Sequence, residues 1–398
     1  MDVDVPEIPP SYDEYRARLR VFIAEQRPKL RWKPGVGLRA PEDRDDVASL
    51  RKWVRALYDA GYVVDRYGTG VGVTDRFEIR ILGEELGRSG IPSVLGNPLV
   101  AGAIAQFGTD EQKQTYLACI ANGEHIWTQL FSEPDAGSDL TSLQTRAERD
   151  GDHYVVNGQK VWSTWAQFAD YGYLLARTEP GRGSAGITAF VLDMRSPGVT
   201  TRPLREITGT ADFNEVFLED VAVPAANMIG APGEGWRVAG ASLAQERGGV
   251  GAGGSGGSLA RLVTVARSCR RDGLPAIQDS AVRQGIASFV ARSRIQRYLG
   301  YSVATKAATS NLAASDAPIT KIWFSELNLE MGEFAILLQG PRGALVQGDA
   351  GAFDDGFWQD SFLYARAWTI AGGSNEIMRN LIAERGLGLP RESRSAPA

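Results

Sequence analysis

Gln129-Leu130-Phe131-Ser132-Glu133-Pro134-Asp135-Ala136-Gly137-Ser138-Asp139-Leu140 is the stretch around which the chain is organised. An apolar run enters it, and a cluster of Pro, Asp, Gly and Ser leaves it. Such a cluster exposes backbone N–H groups and short hydroxyls at one point, which suits a polar ligand edge or a phosphate. On composition alone it is a surface turn between two elements. Two further stretches follow it in order: Asn157-Gly158-Gln159-Lys160-Val161-Trp162-Ser163-Thr164, and Ala371-Gly372-Gly373-Ser374-Asn375-Glu376-Ile377.

Upstream of this stretch the apolar spacing is helical. Ser11 and Glu14 have capping-box spacing, and Tyr12, Tyr15, Leu19 and Phe22 follow at helical intervals. Val47, Leu50, Trp53 and Leu57 form a second stripe that Gly61 can stop. Ile79, Leu82 and Leu86 form a third before Gly87, and Thr109 with Gln112 offers another capping box ahead of Tyr116, Leu117 and Ile120. Residues 1–125 are therefore expected to form an all-α N-terminal domain, with Tyr67 to Gly72 as a glycine-rich loop. After Ile126 the period shortens. Tyr154-Val155-Val156, then Asn157-Gly158, then Gln159 to Trp162 matches a hairpin signature, and Tyr171 to Ala176, Gly186 to Met194 and Phe213 to Val223 are rich in strand formers. Residues 126–225 are expected to be an antiparallel, β-barrel-like middle domain. Helical spacing returns at Trp236, and residues 226–398 are expected to form a C-terminal four-helix bundle. Segregated helices and strands define an α+β class rather than α/β.

A chain of 398 residues is long enough for two or three cores, and its net charge of −5 argues against nucleic acid or an anionic membrane as the main partner. Cys119 and Cys269 give no disulfide framework and suit a reducing cytoplasm, so a cytoplasmic location is expected. Met1 to Pro10 has neither a basic region nor an apolar core, so no signal peptide is expected, and no apolar run is long enough for a membrane span. With only His125 and His153, and the two cysteines far apart, no metal is expected.

In that order, the three stretches resemble the acyl-CoA dehydrogenase family, and the match extends from about residue 100 to Pro390. The resemblance implies an FAD enzyme that inserts a double bond between the carbons α and β to a CoA thioester, in fatty-acid or steroid side-chain β-oxidation. It implies flavin contacts at Gln129, Phe131, Ser132 and Gly137, at Trp162, Ser163 and Thr164, and at Ser374 and Glu376. Trp162 would cover one flavin face. Ser138, Arg247 and Gly373 fall at substrate positions. Many members place the catalytic glutamate just before the glycine of the C-terminal motif, where this chain has Gly372. Others place it on an earlier helix in a Leu-x-x-Glu-Arg context, which here reads Leu243-Ala244-Gln245-Glu246-Arg247. Glu246 is therefore the expected general base, and desolvation would lift its pKa toward the working range.

Two family segments that reach a neighbouring subunit's cofactor depart from the pattern. They read Cys269-Arg270-Arg271-Asp272-Gly273 and Leu337-Leu338-Gln339-Gly340-Pro341-Arg342-Gly343 here, and Pro341 removes an N–H that could hold a phosphate oxygen. A homotetramer or a heterotetramer with a related chain, and an electron-transfer flavoprotein as acceptor, are the implied partners. A flavin oxidase or monooxygenase on the same scaffold, and a non-catalytic partner subunit, remain as alternatives. The run from Gly249 to Gly257 satisfies both a dinucleotide and a nucleophile-elbow pattern, but helical spacing precedes it and both histidines come earlier, so neither site is expected. In the family this region is helix beside the substrate, and the missing side chains are expected to widen the acyl pocket.

Overall fold

Short polar side chains set where the first helices begin. The Asp43 carboxylate accepts the N–H groups of Asp45 and Asp46 (2.9 and 3.0 Å), and Asp75 does the same for Phe77 and Glu78. A computed structural model describes residues 7–28, 39–181, 183–249, 256–308 and 311–391, with side chains described except at 244–257, 307 and 308. The first helices are α1 (Asp13–Gln26), α2 (Arg44–Asp59), α3 (Arg76–Ser89), α4 (Val100–Phe107) and α5 (Asp110–Ala121). The shared core of α1, α2 and α3 holds Leu19, Leu50, Trp53, Leu57 and Ile81, all essentially inaccessible to solvent. The Thr109–Gln112 capping box forms with both reciprocal bonds at 3.2 Å.

Two helix signals work differently from expectation. A 3-10 turn over Pro10–Tyr12 precedes α1, so Ser11 caps nothing, and Glu14 pairs with Arg18 at 2.7 Å instead. α3 runs through Gly87 and stops at Gly90, whose φ of +69° is the left-handed turn a helix end favours. The additional residues are held by Arg88–Glu85 and by the Ser89 hydroxyl donating to Leu86 O.

The sheet comprises β1 (Trp127–Leu130), β2 (Arg146–Asp150), β3 (His153–Lys160), β4 (Tyr171–Arg177), β5 (Ile187–Asp193), β6 (Val199–Leu204), β7 (Phe213–Pro224) and β8 (Met228–Ile229). Its order is β6-β7-β3-β2-β4-β5-β8, with β1 added parallel to β4. A short β2–β4 contact is also parallel, and the remaining pairs of this sheet are antiparallel. β4 and β5 read as unbroken apolar runs because both faces are buried. Tyr173, Leu175, Ile187 and Ala189 join one cluster with α4 and α5, while Leu174, Ala176, Phe190 and Leu192 join Val156, Val216 and Val223 on the other face.

Asn157-Gly158 is not the hairpin turn that its sequence suggested. β3 is continuous through it, and the turn lies earlier, at Gly151-Asp152, with Gly151 at φ +61°. Between Val156↔Val221 and Gly158↔Leu218 the register steps by two residues on β3 and three on β7. β7 therefore bulges, with Asp220 at φ +51°. The Asn157 amide donates to Asp220 Oδ1 at 2.9 Å, and its carbonyl accepts the Asp220 N–H at 3.0 Å. Glycine is required at 158 because a Cβ there would approach Thr145 Cα to 2.8 Å.

The described residues fall into two compact units, divided between Gln245 and Glu246. α6 (Gly235–Gly249) spans the division. In the second unit α7 (Gly256–Ser268), α8 (Ser280–Ala308), α9 (Asp316–Gln339) and α10 (Phe357–Ile370) pack around Leu262, Phe289, Leu327, Met331 and Trp358. β9 (Arg270–Arg271) and β10 (Leu274–Pro275) form a small hairpin, and α11 (Asn375–Leu381) follows α10. Among the described residues, no helix is long and apolar enough to cross a membrane.

Candidate functional site: two turns joined at the end of the sheet

β1 is fixed by the β4 register Trp127↔Tyr171 to Leu130↔Leu174 and by the Asn97 N–H donating to Trp127 O at 2.7 Å. Gln129 Oε1 accepts from the Asn97 amide at 2.8 Å. The chain leaves β1 at Phe131, whose buried ring meets the Tyr173 ring edge-on at 4.8 Å. β3 ends at Lys160, and the next N–H, of Val161, donates to Ser132 O at 2.9 Å. The turn after β1 and the turn after β3 are therefore directly bonded.

An ion pair buried beneath the junction reinforces it. Lys160 Nζ donates to Glu133 Oε1 at 2.8 Å and to Phe131 O at 3.1 Å, and Lys160 has no solvent exposure. The Glu133 carboxylate also accepts the N–H groups of Gln144 (2.6 Å) and Thr145 (2.8 Å). Burial pushes the Lys160 pKa down to about 8, against the pull of Glu133. Burial also opposes ionisation of Glu133, but the lysine charge and the donated hydrogen bonds outweigh it and hold its pKa below the usual carboxylate value. Both groups are charged at neutral pH. Removal of either would strand the other's charge in a low-dielectric site.

Past Val161, Trp162 adopts φ +61° and leaves its indole 60 % exposed, edge-on to Phe213 at 6.1 Å. It is not a core residue of a strand. Ser163 is fully buried, its N–H donating to Asn214 O and its carbonyl accepting from the Asn214 amide, both at 3.0 Å. Thr164 is buried, and Trp165, at φ +57°, donates its N–H to Asp212 O at 3.0 Å. Two tryptophans in left-handed conformation within four residues are a strained arrangement that the β7 contacts hold in place. The Ser163 hydroxyl and Asn214 Oδ1 are buried without a hydrogen-bond partner. An exposed aromatic face with unsatisfied polar atoms behind it fits a flat heterocycle with a polar edge.

Gly137 and Ser138 lie exposed further along the first turn, before the 3-10 turn Leu140–Ser142. In the other unit, Gly372 and Gly373 take φ +66° and +93°, and Ser374 caps α11 by accepting the Ile377 N–H at 3.3 Å. Glu376 is exposed in the first turn of α11, and its pKa is lowered by its own N–H and the Ser374 hydroxyl. Buried Lys321 and Ser325 on α9 donate to Asn375 Oδ1 at 2.8 and 3.0 Å, anchoring this turn. Glu246 and Arg247 lie on the helical backbone of α6, and their side chains lie outside the described residues, as do residues 250–255 of the glycine run. The Arg270–Gly273 segment is a tight hairpin with Asp272 and Gly273 at φ +50° and +78°. Pro341 sits at the start of a 3-10 turn after α9.

Lys160, Glu133, Asn97 and Asn214 received no role from sequence, although the first two stand inside the motifs. The available signal was a lysine closing a strand that is otherwise buried on alternate residues.

Residues 38–124, 128–221 and 233–387 match the N-terminal, middle and C-terminal domains described for acyl-CoA dehydrogenases. Acyl-CoA dehydrogenase IpdE1 of Mycobacterium tuberculosis is 35% identical, the alignment covering 96% of this chain and 99% of that one. The solved ChsE4-ChsE5 complex from Mycobacterium tuberculosis matches with a TM-score of 0.81 at 28% identity, covering 98% of this chain and 100% of that one. The solved structure of the Tcur3481-Tcur3483 steroid ACAD matches with a TM-score of 0.81 at 27% identity, covering 96% of this chain and 99% of that one. The motif turns, the three domain matches and the full-length relatives agree, and the chain belongs to the acyl-CoA dehydrogenase family of oxidoreductases acting on CH–CH groups.

Proposed function

We infer that this chain performs FAD-dependent α,β-dehydrogenation of an acyl-CoA thioester, with Glu246 as the base. The carrying observation is the Val161–Ser132 bond above the buried Lys160–Glu133 pair, which joins the two motif turns into one rim. On that rim Phe131, Ser132 and Gly137, with Gln129 behind them, would meet the polar edge of the isoalloxazine. Trp162 would lie against a face of the ring, and Ser163 and Thr164 would line its far edge. The family resemblance assigns Ser374 and Glu376 to flavin contact as well. When bound, the flavin accepts the β hydrogen as hydride.

The chain's own groups do the rest. The Glu246 carboxylate takes the α proton, and Ser138 with Gly373 and Arg247 hold the thioester end of the substrate. Charge builds on the thioester oxygen as the proton leaves, so donors fixed toward that oxygen lower the barrier. α6 is helical as far as Gly249, which supports the relocation of the base from the C-terminal motif to the helix following the sheet. Similarity to the Tcur3481-Tcur3483 steroid ACAD and to the ChsE4-ChsE5 complex supports a steroid-derived acyl group and a related partner chain. The altered segments at 269–273 and 339–343 agree with division of cofactor contacts between unlike subunits. An electron-transfer flavoprotein is the proposed acceptor and the cytoplasm the proposed location.

The test is to purify the chain alone and with a co-expressed related chain, read the bound chromophore, and screen CoA esters by dye reduction. Flavin with turnover of saturated acyl-CoA esters is expected. Peroxide release without dye reduction would favour an oxidase. A flavin-free chain that remains inactive with every partner would overturn the reading.

A further inference from the structure

We propose that Cys119, Glu124 and His125 form a zinc-class divalent cation site at the connection between α5 and β1. One ligand atom from each of the three lies within 4.8 Å of the others. Cys119 Sγ and Glu124 Oε2 are already 3.7 Å apart. A tetrahedral ion with bonds of about 2.3 Å to sulfur and about 2.0 Å to oxygen needs a ligand separation of roughly 3.5 Å. That pair therefore needs almost no movement, and a side-chain rotation brings in the imidazole. His125 Nδ1 is buried with no hydrogen-bond partner. Residue spacing along the chain did not reveal this arrangement because the spacing that matters is not Cys119 to Cys269. It is Cys119 to His125, across the end of a helix.

The backbone that presents the ligands is already fixed. The His125 N–H donates to Cys119 O at 2.9 Å, and the Glu124 N–H to Asn122 Oδ1 at 2.8 Å. Arg51 donates to the carbonyls of Gly123 and Glu124, and its charge is taken by Asp170 at 2.7 Å. Rings of Tyr116 and Tyr171 flank the imidazole, their centroids 6.1 and 4.9 Å away. A thiolate and a carboxylate together cancel the two charges of the ion. Sulfur and nitrogen ligands select zinc over calcium or magnesium, and three protein ligands leave a fourth position for water. Glu124 is exposed, so the ion enters from solvent. β1 begins two residues after His125 and leads to Gln129 and Ser132, so the ion would clamp the root of the strand that feeds the first motif turn.

Zinc displaces the thiol proton to bulk solvent as the sulfur–metal bond forms. The test uses the untagged, flavin-loaded protein, stripped with a chelator and titrated with Zn²⁺ by calorimetry in two buffers of different ionisation enthalpy. One ion per chain is expected, with about one proton released per ion. Cys119→Ser and His125→Gln should each weaken binding by at least ~100-fold, more than loss of an outer-shell partner does. Cys269→Ser should leave it unchanged. If Cys119→Ser fails to fold, Glu124→Gln at the surface carries the test, with reduced affinity and an unchanged melting temperature without metal as the supporting result. Absence of a saturable heat, or binding indifferent to both Cys119→Ser and Glu124→Gln, overturns the site.

Discussion

Replacing Lys160 with Met should destabilise the sheet-bearing unit severely, and replacing Glu133 with Gln in the same chain should add little further loss. Lys160 is fully buried and Glu133 only 8% exposed, so the single substitution leaves a carboxylate with two backbone donors and no counter-charge. Breaking a buried pair from one side costs about 3–5 kcal/mol, against a total stability of about 5–15 kcal/mol for a typical protein. In the double variant the buried charge is gone, but the single amide oxygen keeps only one of the Gln144 and Thr145 N–H groups partnered, because the parent carboxylate uses a separate oxygen for each. The remaining deficit is that lost N–H partner together with the Phe131 carbonyl that Lys160 no longer reaches, about 1–3 kcal/mol each. With about 3–5 kcal/mol for each single substitution and about 2–6 kcal/mol for the pair, the cycle is non-additive by roughly 4 kcal/mol. Urea denaturation of the four apoproteins reads it from the midpoints at constant slope. The single variant should also recover as pH falls. In the parent chain, Glu133 has a depressed pKa, so its contribution is full above the unfolded value and is lost as pH drops through the folded one. Without Lys160 the largest influence lowering that pKa is gone, burial raises it, and protonation relieves the buried charge. A single-substitution loss below about 1 kcal/mol, or losses that simply add in the double variant, would refute the idea that this pair holds the two turns together.

Three further outcomes follow from the same geometry. Trp162→Gly should weaken flavin retention sharply while leaving the apoprotein melting temperature equal or higher, since the ring is 60% exposed and its φ of +61° suits glycine; absorbance after gel filtration and a thermal melt check it. Gly158→Ala should lose about 1–3 kcal/mol in urea, because Thr145 occupies the space that the new methyl needs. For Lys160, the folded pKa near 8 lies below the unfolded 10.5, so the unfolded chain holds the extra proton between those values and this group's contribution to stability rises with pH across that window; a melt series of the parent chain against Lys160→Met checks the sign.

The elements legible in the sequence were those whose signal is local. The Thr109–Gln112 box formed as written, and the stripe of Val47, Leu50, Trp53 and Leu57 lies on α2. Asn157-Gly158 misled because an Asn-Gly pair is a strong turn signal only where no neighbouring strand claims it. Here Thr145 on one side needs the missing Cβ, and Asp220 on the other takes the amide. At the site, the exposed turn chemistry was visible in the motifs. What supports it was not. Lys160 finds Glu133 across 27 residues, and Ser163 finds Asn214 across 51, and no spacing rule within one segment encodes either contact. The metal-ligand cluster escaped for a similar reason, because only the fold back at the end of α5 places Cys119 beside Glu124 and His125.

The base assignment is tested most directly by Glu246→Gln, mixed anaerobically with a saturated acyl-CoA ester that reduces the parent protein, with the bound flavin followed by its visible absorbance. The expected result is a protein that stays yellow, keeps full flavin occupancy and binds the ester, yet does not bleach on the timescale of parent turnover. Bleaching at the parent rate would contradict the assignment and remove Glu246 from the reaction.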